Sequence, residues 1–231
     1  MLIAGLQKLT LLDYPGHIAC TVFTGGCNLR CPFCHNASLV LPEKLGEFMS
    51  EEEFFSFLRK RQGVLEGVAI TGGEPLLQKD MPAFLRGIRE LGYSIKLDTN
   101  GCYPEKLEEI VSAGLVDRVA MDIKNSPALY GATVGIADFD IRAVERSKNF
   151  LLEGRVEYEF RTTAVKGLHT EESIAAASKW IEGAAEYYLQ QFKDSGELID
   201  SAGLGSFDED EMKGLLKAAA EFVPAVQLRG I

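Results

Sequence analysis

A strand-like apolar run followed by a helix-like segment recurs along this chain every ~25 to 30 residues, and that rhythm limits the fold more than any other feature. The strand candidates are IACTVFTGG (18–26), GVAITGG (67–73), YSIKLDT (93–99), DRVAMDI (117–123), RVEYEFRTT (155–163) and AEYYLQQF (185–192). Helix signals lie between them. Ser50 and Glu53 stand at capping-box spacing ahead of Phe54, Phe55 and Leu58. Met81, Phe84, Leu85, Ile88 and Leu91 repeat at helical spacing within 79–91. Pro104 opens a helix that ends near Gly114. Further helices are expected over 140–152, 170–181 and 208–222, the last with four acids in its first turn. The tail VQLRGI can form one more short strand.

Strands alternating with helices imply a parallel sheet. Six such units reach only residue 192, whereas a closed eightfold barrel takes about 250 residues. The expected fold is therefore α/β, an open partial (β/α)6 TIM-like barrel. A doubly wound open sheet is the alternative, because the pattern leaves strand order open. The 231 residues, 46% of them hydrophobic, can bury one sizeable core. One domain over 1–231 is expected, with its core at about 15–195 and a C-terminal helix and tail at 205–231.

Formal net charge is −10, and no basic arm or basic, aromatic-interleaved stripe is present. Direct nucleic-acid binding is not expected, since phosphate backbones need clustered Lys and Arg. No apolar run reaches the ~18 to 20 residues that span a bilayer. The start MLIAGLQKLTLLDYPG lacks the charged region and long apolar region of a leader peptide. The expectation is a cytoplasmic protein, whose thiols stay reduced, so clustered cysteines read as metal ligands or redox groups.

The unusual polar residues fall at the C-terminal ends of the predicted strands: TGGC, TGGEP (71–75), DTNG (98–101), MDIK (121–124) and FRTT (160–163). In barrels and open α/β sheets, ligands bind at that edge. Each motif also has a plain reading. GG can be a tight turn, DTNG an Asx turn, Asp122 and Lys124 an ordinary ion pair, and Arg161 a partner for an acid. Five such motifs in the same position favour function.

Cys27, Cys31 and Cys34 are spaced C-x3-C-x2-C just past the first predicted strand. They flank polar residues and a proline, unlike ordinary buried cysteines. Zinc would need a fourth ligand: His35 is adjacent to Cys34 and poorly placed, and Cys102 after DTNG is the better distant one. Cys20 lies inside the strand. A cubane iron–sulfur cluster commonly takes four thiolates. With three, one iron keeps an open position, which implies a bound substrate or cofactor.

The cysteine spacing, with Phe33 before the last cysteine and GGEP one unit later, resembles the radical S-adenosylmethionine superfamily. The longer string DYPGHIACTVFTGGCNLRCPFCHN, with DTNG and MDIK, resembles the glycyl-radical-enzyme activases, and most of all those assigned to anaerobic ribonucleoside-triphosphate reductase. The likeness covers roughly residues 10–165.

That resemblance implies one [4Fe–4S] cluster on Cys27, Cys31 and Cys34, with S-adenosylmethionine on the fourth iron. Phe33 would lie near the adenine, with backbone around His35 and Asn36 on that side. Gly72, Gly73 and Glu74 would receive the methionine amino group. Asp98, Thr99 and Asn100 would face the ribose or the amine. Lys124 would meet the carboxylate, and Arg161 would be a further cofactor contact. Asp98, Thr99, Met121 and Asp122 match positions that hold a monovalent cation in some activases. The cofactor carries the chemistry, so no separate catalytic residue is expected.

The implied partners are a glycyl radical enzyme, whose glycine loses a hydrogen atom, and a reduced flavodoxin- or ferredoxin-type electron donor. Pyruvate formate-lyase or another glycyl radical enzyme is the alternative target, and a small-molecule substrate the next. A zinc-stabilised binding module is the reading from outside enzymology, but it leaves TGGEP, DTNG and MDIK unexplained. Related activases carry a histidine after the fifth strand; His169 does not align with it, precedes Thr170 at a helix N-cap, and is expected to be a loop residue. No cysteine lies between Cys34 and Cys102, so a second cluster is not expected.

Overall fold

The computed structural model describes residues 1–41, 46–194 and 196–231. Its strands are β1 (Ile3–Thr10), β2 (Ala19–Thr24), β3 (Gly67–Gly72), β4 (Ser94–Thr99), β5 (Arg118–Asp122), β6 (Glu157–Ala164), β7 (Tyr187–Gln191) and β8 (Val226–Arg229). Its helices are α1 (Ala37–Val40), α2 (Glu51–Arg61), α3 (Met81–Glu90), α4 (Pro104–Ser112), α5 (Tyr130–Val134), α6 (Arg142–Leu152), α7 (Glu171–Trp180) and α8 (Glu209–Ala220). Hydrogen-bonded strand order equals chain order, β1 to β8. The chain divides into two compact units, one of residues 1–28, 38–120 and 155–157, the other of 29–37, 121–154 and 158–231.

In the first unit, β2 and β3 pair in parallel, as do β3 and β4. These strands are almost wholly buried, and their continuous apolar character follows from being covered on both faces. In register, Thr21 lies beside Ala69 and Ala69 beside Lys96, so the three share one face of the sheet. α2 starts at the expected capping box: Ser50 Oγ accepts the Glu53 N–H at 3.2 Å, and Glu53 Oε2 accepts the Ser50 N–H at 2.9 Å. α2 and α3 bring Phe54 and Phe84 together with ring centroids 5.2 Å apart. Each such buried ring contributes about 2 to 3 kcal/mol.

β1 has no counterpart in the sequence reading. It pairs antiparallel with β2, with irregularities between Ile3 and Gly5 and between Gln7 and Thr10. Its middle residues Gln7, Lys8 and Leu9 are exposed. The strand therefore shows neither the alternation nor the apolar run that marks the others.

In the second unit, β6, β7 and β8 pair in parallel, with Phe160 beside Tyr187 and Tyr187 beside Val226. The tail strand expected at the C-terminus is β8. The Tyr187 hydroxyl donates to Thr162 Oγ1 at 2.8 Å, which satisfies a buried polar atom inside this core. α8 begins with a capping box of Asp208 and Glu211, placing acids at the positive end of the helix dipole.

Candidate functional site

The first unit gathers polar groups in the turns that leave β2, β3 and β4. The turns after β2 and β3 meet through main chain: Gly73 N–H donates to the Thr24 carbonyl and Glu74 N–H to the Gly26 carbonyl, both at 2.9 Å. A Cβ on Gly73 would lie 1.9 Å from the Gly26 oxygen. Gly72 has φ +117°, and a Cβ there would lie 2.3 Å from the Thr24 nitrogen. The glycine pair is thus required by this chain's own backbone before any ligand is considered.

Glu74 is 0% exposed. Its Oε1 accepts the Leu76 N–H at 3.0 Å and the Thr99 hydroxyl at 2.9 Å, and its Oε2 accepts the Asn100 N–H at 2.7 Å. The carboxylate therefore ties TGGEP to DTNG. DTNG is an Asx turn, with Asn100 Oδ1 accepting the Cys102 N–H at 3.0 Å. The Asn100 amide also donates to Asn28 Oδ1 at 2.9 Å and lies 3.8 Å from Cys27 Sγ. The turn residue expected on plain grounds thus reaches one of the three motif cysteines. Asp98 pairs with Lys96, whose Nζ lies 2.5 Å from Asp98 Oδ1 and whose side chain is 2% exposed.

The second unit holds the rest of the cysteine loop and the ends of β5 and β6. Arg30 N–H donates to the Val134 carbonyl and Asp200 N–H to the Pro32 carbonyl, each at 3.0 Å. Gly135, the αL cap of α5, has φ +72°, and a Cβ there would lie 2.4 Å from the Arg30 oxygen. So α5 and the segment after β7 brace this loop. Phe33 is buried, and Lys124 Nζ lies 6.0 Å from its ring centroid. The exposed His35 ring lies 5.4 Å from that of Phe192. Asn36 is half-buried. Burial pushes the Cys34 thiol up, opposed by the Asn36 backbone and then by the Lys124 charge.

Asp122 sits between two cations. Lys124 Nζ lies 2.9 Å from its Oδ2, and Arg161 Nη2 and Nε lie 3.0 and 3.1 Å from its Oδ1. Burial alone would raise the Asp122 carboxyl, but the Lys124 and Arg161 charges hold it down at about 2. Burial opposes the charge on Lys124, and Asp122, then Cys31, outweigh it and hold the ammonium above the ordinary lysine range. His169 lies in the loop between β6 and α7, as expected, but it is buried. It is 4% exposed, its Nδ1 accepts the Val165 N–H at 3.0 Å, and its Nε2 donates to the Lys124 carbonyl at 2.8 Å. Burial pushes its pKa down, so the ring is neutral.

The donor chemistry fits an iron–sulfur cluster. Three thiols lie within eight residues, and none of the five described cysteines is in a disulfide. Cys20 is buried inside β2, with its thiol pushed up to about 12 by desolvation, and suits packing rather than ligation. In the first unit Asp98 is met by Lys96, and in the second Asp122 is met by Lys124 and Arg161.

Sequence reasoning missed Lys96, Gly135, Phe192 and Asp200. Only Lys96 left a usable signal, as a lysine inside an apolar strand, two residues before an aspartate. The others act through main chain or a ring contact, which leave no mark in residue type.

The radical SAM superfamily model matches residues 21–147. A protein of Methanocaldococcus jannaschii assigned as a glycyl-radical enzyme activating enzyme is 33% identical over 242 aligned positions, covering 100% of this chain and 96% of that protein. The pyruvate formate-lyase-activating enzyme of Clostridium pasteurianum is 36% identical over 132 positions, covering 53% of this chain. There the chain spans 52% of the relative's length. Among solved structures, Streptococcus suis SuiB bound to precursor peptide SuiA matches with a TM-score of 0.72 at 14% identity, over 91% of this chain and 48% of that one. At that identity the likeness concerns the fold, the open partial barrel. Among the described residues, no helix is long and apolar enough to cross a membrane.

Proposed function

The chain belongs to the radical S-adenosylmethionine superfamily and, within it, to the glycyl-radical enzyme activating enzymes, and we propose that its target is anaerobic ribonucleoside-triphosphate reductase. The observation that carries the activase reading is the likeness to the M. jannaschii protein, because it runs the whole length of the chain. The reductase as target rests on the wider sequence string from DYPG to CHN with DTNG and MDIK.

In this reading Cys27, Cys31 and Cys34 would hold a [4Fe–4S] cluster that binds S-adenosylmethionine. When bound, the pair would supply one-electron reductive cleavage of the cofactor and, through it, removal of a hydrogen atom from the partner's glycine. The chain's own work is binding and aim. Lys124 presents a secured positive charge to the cofactor carboxylate, since Asp122 keeps it protonated. Arg161 acts on the same side through Asp122. Gly72 and Gly73 offer main chain to the amino group, and Glu74 fixes that loop by its ties to Thr99 and Asn100. Phe33 and the backbone at His35 and Asn36 take the adenine side, and Asp98, Thr99 and Asn100 the ribose side. No acid or base is needed, and orientation dominates the rate. The electron comes from a reduced flavodoxin- or ferredoxin-type donor, in the cytoplasm.

The C. pasteurianum relative favours a second reading, in which the target is pyruvate formate-lyase. Anaerobic reconstitution tests the shared chemistry. It should give about four irons and four sulfides per chain, and, with reductant, 5′-deoxyadenosine and methionine. A full cluster with no cleavage would refute the reading. Incubation with each candidate enzyme then separates the targets, and a cleavage product found only with a small molecule would remove both.

A further inference from the structure

His169 is the one buried histidine among the described residues, and the mechanism above gives it no task. Its hydrogen bonds fix its tautomer. Nδ1 accepts the Val165 N–H at 3.0 Å, so the proton sits on Nε2, which donates to the Lys124 carbonyl at 2.8 Å. The ring thus joins the turn after β6 to the main chain of the residue after β5 that carries the site's ammonium. The same stretch is braced on either side. Thr162 Oγ1 donates to the Ile123 carbonyl at 2.6 Å, and Asn125 Nδ2 donates to the Leu168 carbonyl at 3.0 Å. Those two bonds hold residues 123 and 125. Only the imidazole holds the carbonyl of residue 124 among the hydrogen bonds described.

We infer that His169 is a positioning residue: its ring fixes the Lys124 main chain and so aims the Lys124 ammonium at the cofactor carboxylate. The inference rests on the proposed role of Lys124. Lys124 has four rotatable side-chain bonds, and two things restrain its far end, the 2.9 Å pair with Asp122 and the Phe33 ring 6.0 Å away. A shift at the Cα would carry through the whole side chain. The ring is too deeply buried to touch a ligand, and its ring nitrogens are engaged with main chain, so it is not proposed as an acid or base.

Two substitutions separate the ring's two bonds. Gln places a donor where Nε2 stands, and His169→Gln can keep the Lys124 contact. Asn is shorter and reaches only the Nδ1 position, so His169→Asn keeps the Val165 contact and loses the other. With equal iron and sulfide content in all proteins, His169→Asn should raise the Kd and KM for S-adenosylmethionine about tenfold, the order that a lost buried hydrogen bond produces. His169→Gln should stay within about threefold of wild type, and kcat should change little in both. A readout that needs no cofactor accompanies this: pulse acylation of lysines, followed by mass spectrometry. Lys124 should label several-fold faster in His169→Asn than in wild type or His169→Gln.

Equal labelling of Lys124 in all three proteins would overturn the inference, as would an unchanged KM in His169→Asn. A fall in kcat in both variants with KM unchanged would overturn it too, by giving the ring proton a role in the chemistry. If wild type fails to cleave the cofactor at all, the functional reading falls, and the labelling still decides whether His169 holds Lys124.

Discussion

The Glu74 carboxylate accepts the Asn100 main-chain N–H at 2.7 Å, joining the turn after β3 to the turn after β4. It also accepts from Thr99 and Leu76, and it is wholly buried. Removing it would strand these donors away from water. Glu74→Ala should cost about 3 kcal/mol or more, read from urea unfolding of the apo chain, and Glu74→Gln about half of that, because one oxygen remains. A cost of less than about 1 kcal/mol for Glu74→Ala would show the tie to be unimportant.

Gly73 offers a steric test of the same turn. A Cβ would meet the Gly26 carbonyl oxygen at 1.9 Å, and main chain cannot rotate away as a side chain can. Gly73→Ala should destabilise by about 3 kcal/mol or fail to fold. Gly92 is the control, with φ +87° but nothing within 4 Å of its Cβ position. Gly92→Ala should cost about 1 to 2 kcal/mol from backbone strain alone. Equal losses at the two positions would show that the close approach does not matter.

These two turns show where sequence is informative and where it is silent. The six central strands and helices α2, α3, α4, α6, α7 and α8 follow from apolar period, caps and the Pro-start, Gly-stop rule, and they stand close to where those signals place them, whereas the short α5 has no counterpart among them. The motif residues were legible because Cys, Gly-Gly-Glu and Asp-Thr-Asn are chemically unusual at strand ends. Their partners were not. TGGEP reads as a cradle for a ligand, yet its glycines make room for Thr24 and Gly26, and its glutamate is spent on Thr99 and Asn100. β1 escaped notice because its exposed middle erases periodicity. The burial of His169 within its loop left no mark in the sequence because its partners are peptide groups, which every residue carries alike.

Stability should fall with acid in two stages. The ordinary histidine value is 6.5, and burial lowers that of His169 in the folded chain. The unfolded chain therefore takes up the proton first, so the contribution is complete above 6.5 and is lost as pH falls below it. Asp122 is held at about 2 against an ordinary 3.8, so its contribution is present above 3.8 and is lost as pH falls towards 2. Unfolding free energy measured from pH 8 down to pH 5 should decline in wild type and decline less in His169→Gln. Parallel curves would mean that His169 does not titrate on unfolding.

The cysteines should divide sharply. Cys27→Ala, Cys31→Ala and Cys34→Ala should each lose the reconstituted cluster's absorbance and all cofactor cleavage. Cys20→Ala should keep a full cluster and lose only packing, about 1 kcal/mol, since that thiol is buried within β2. Cys102→Ala should likewise keep its iron. Loss of the cluster in Cys102→Ala would make that residue a fourth ligand and leave no iron open for a cofactor.

The central claim concerns a hydrogen atom taken from a partner's glycine, and electron paramagnetic resonance reads that directly. The reconstituted, reduced chain is mixed anaerobically with S-adenosylmethionine and anaerobic ribonucleoside-triphosphate reductase, with pyruvate formate-lyase in a parallel sample. The account predicts a glycyl doublet on the reductase that is absent with Cys31→Ala and that collapses when the reductase's radical glycine is replaced by alanine. A chain that cleaves the cofactor but raises no glycyl signal on the reductase would contradict it.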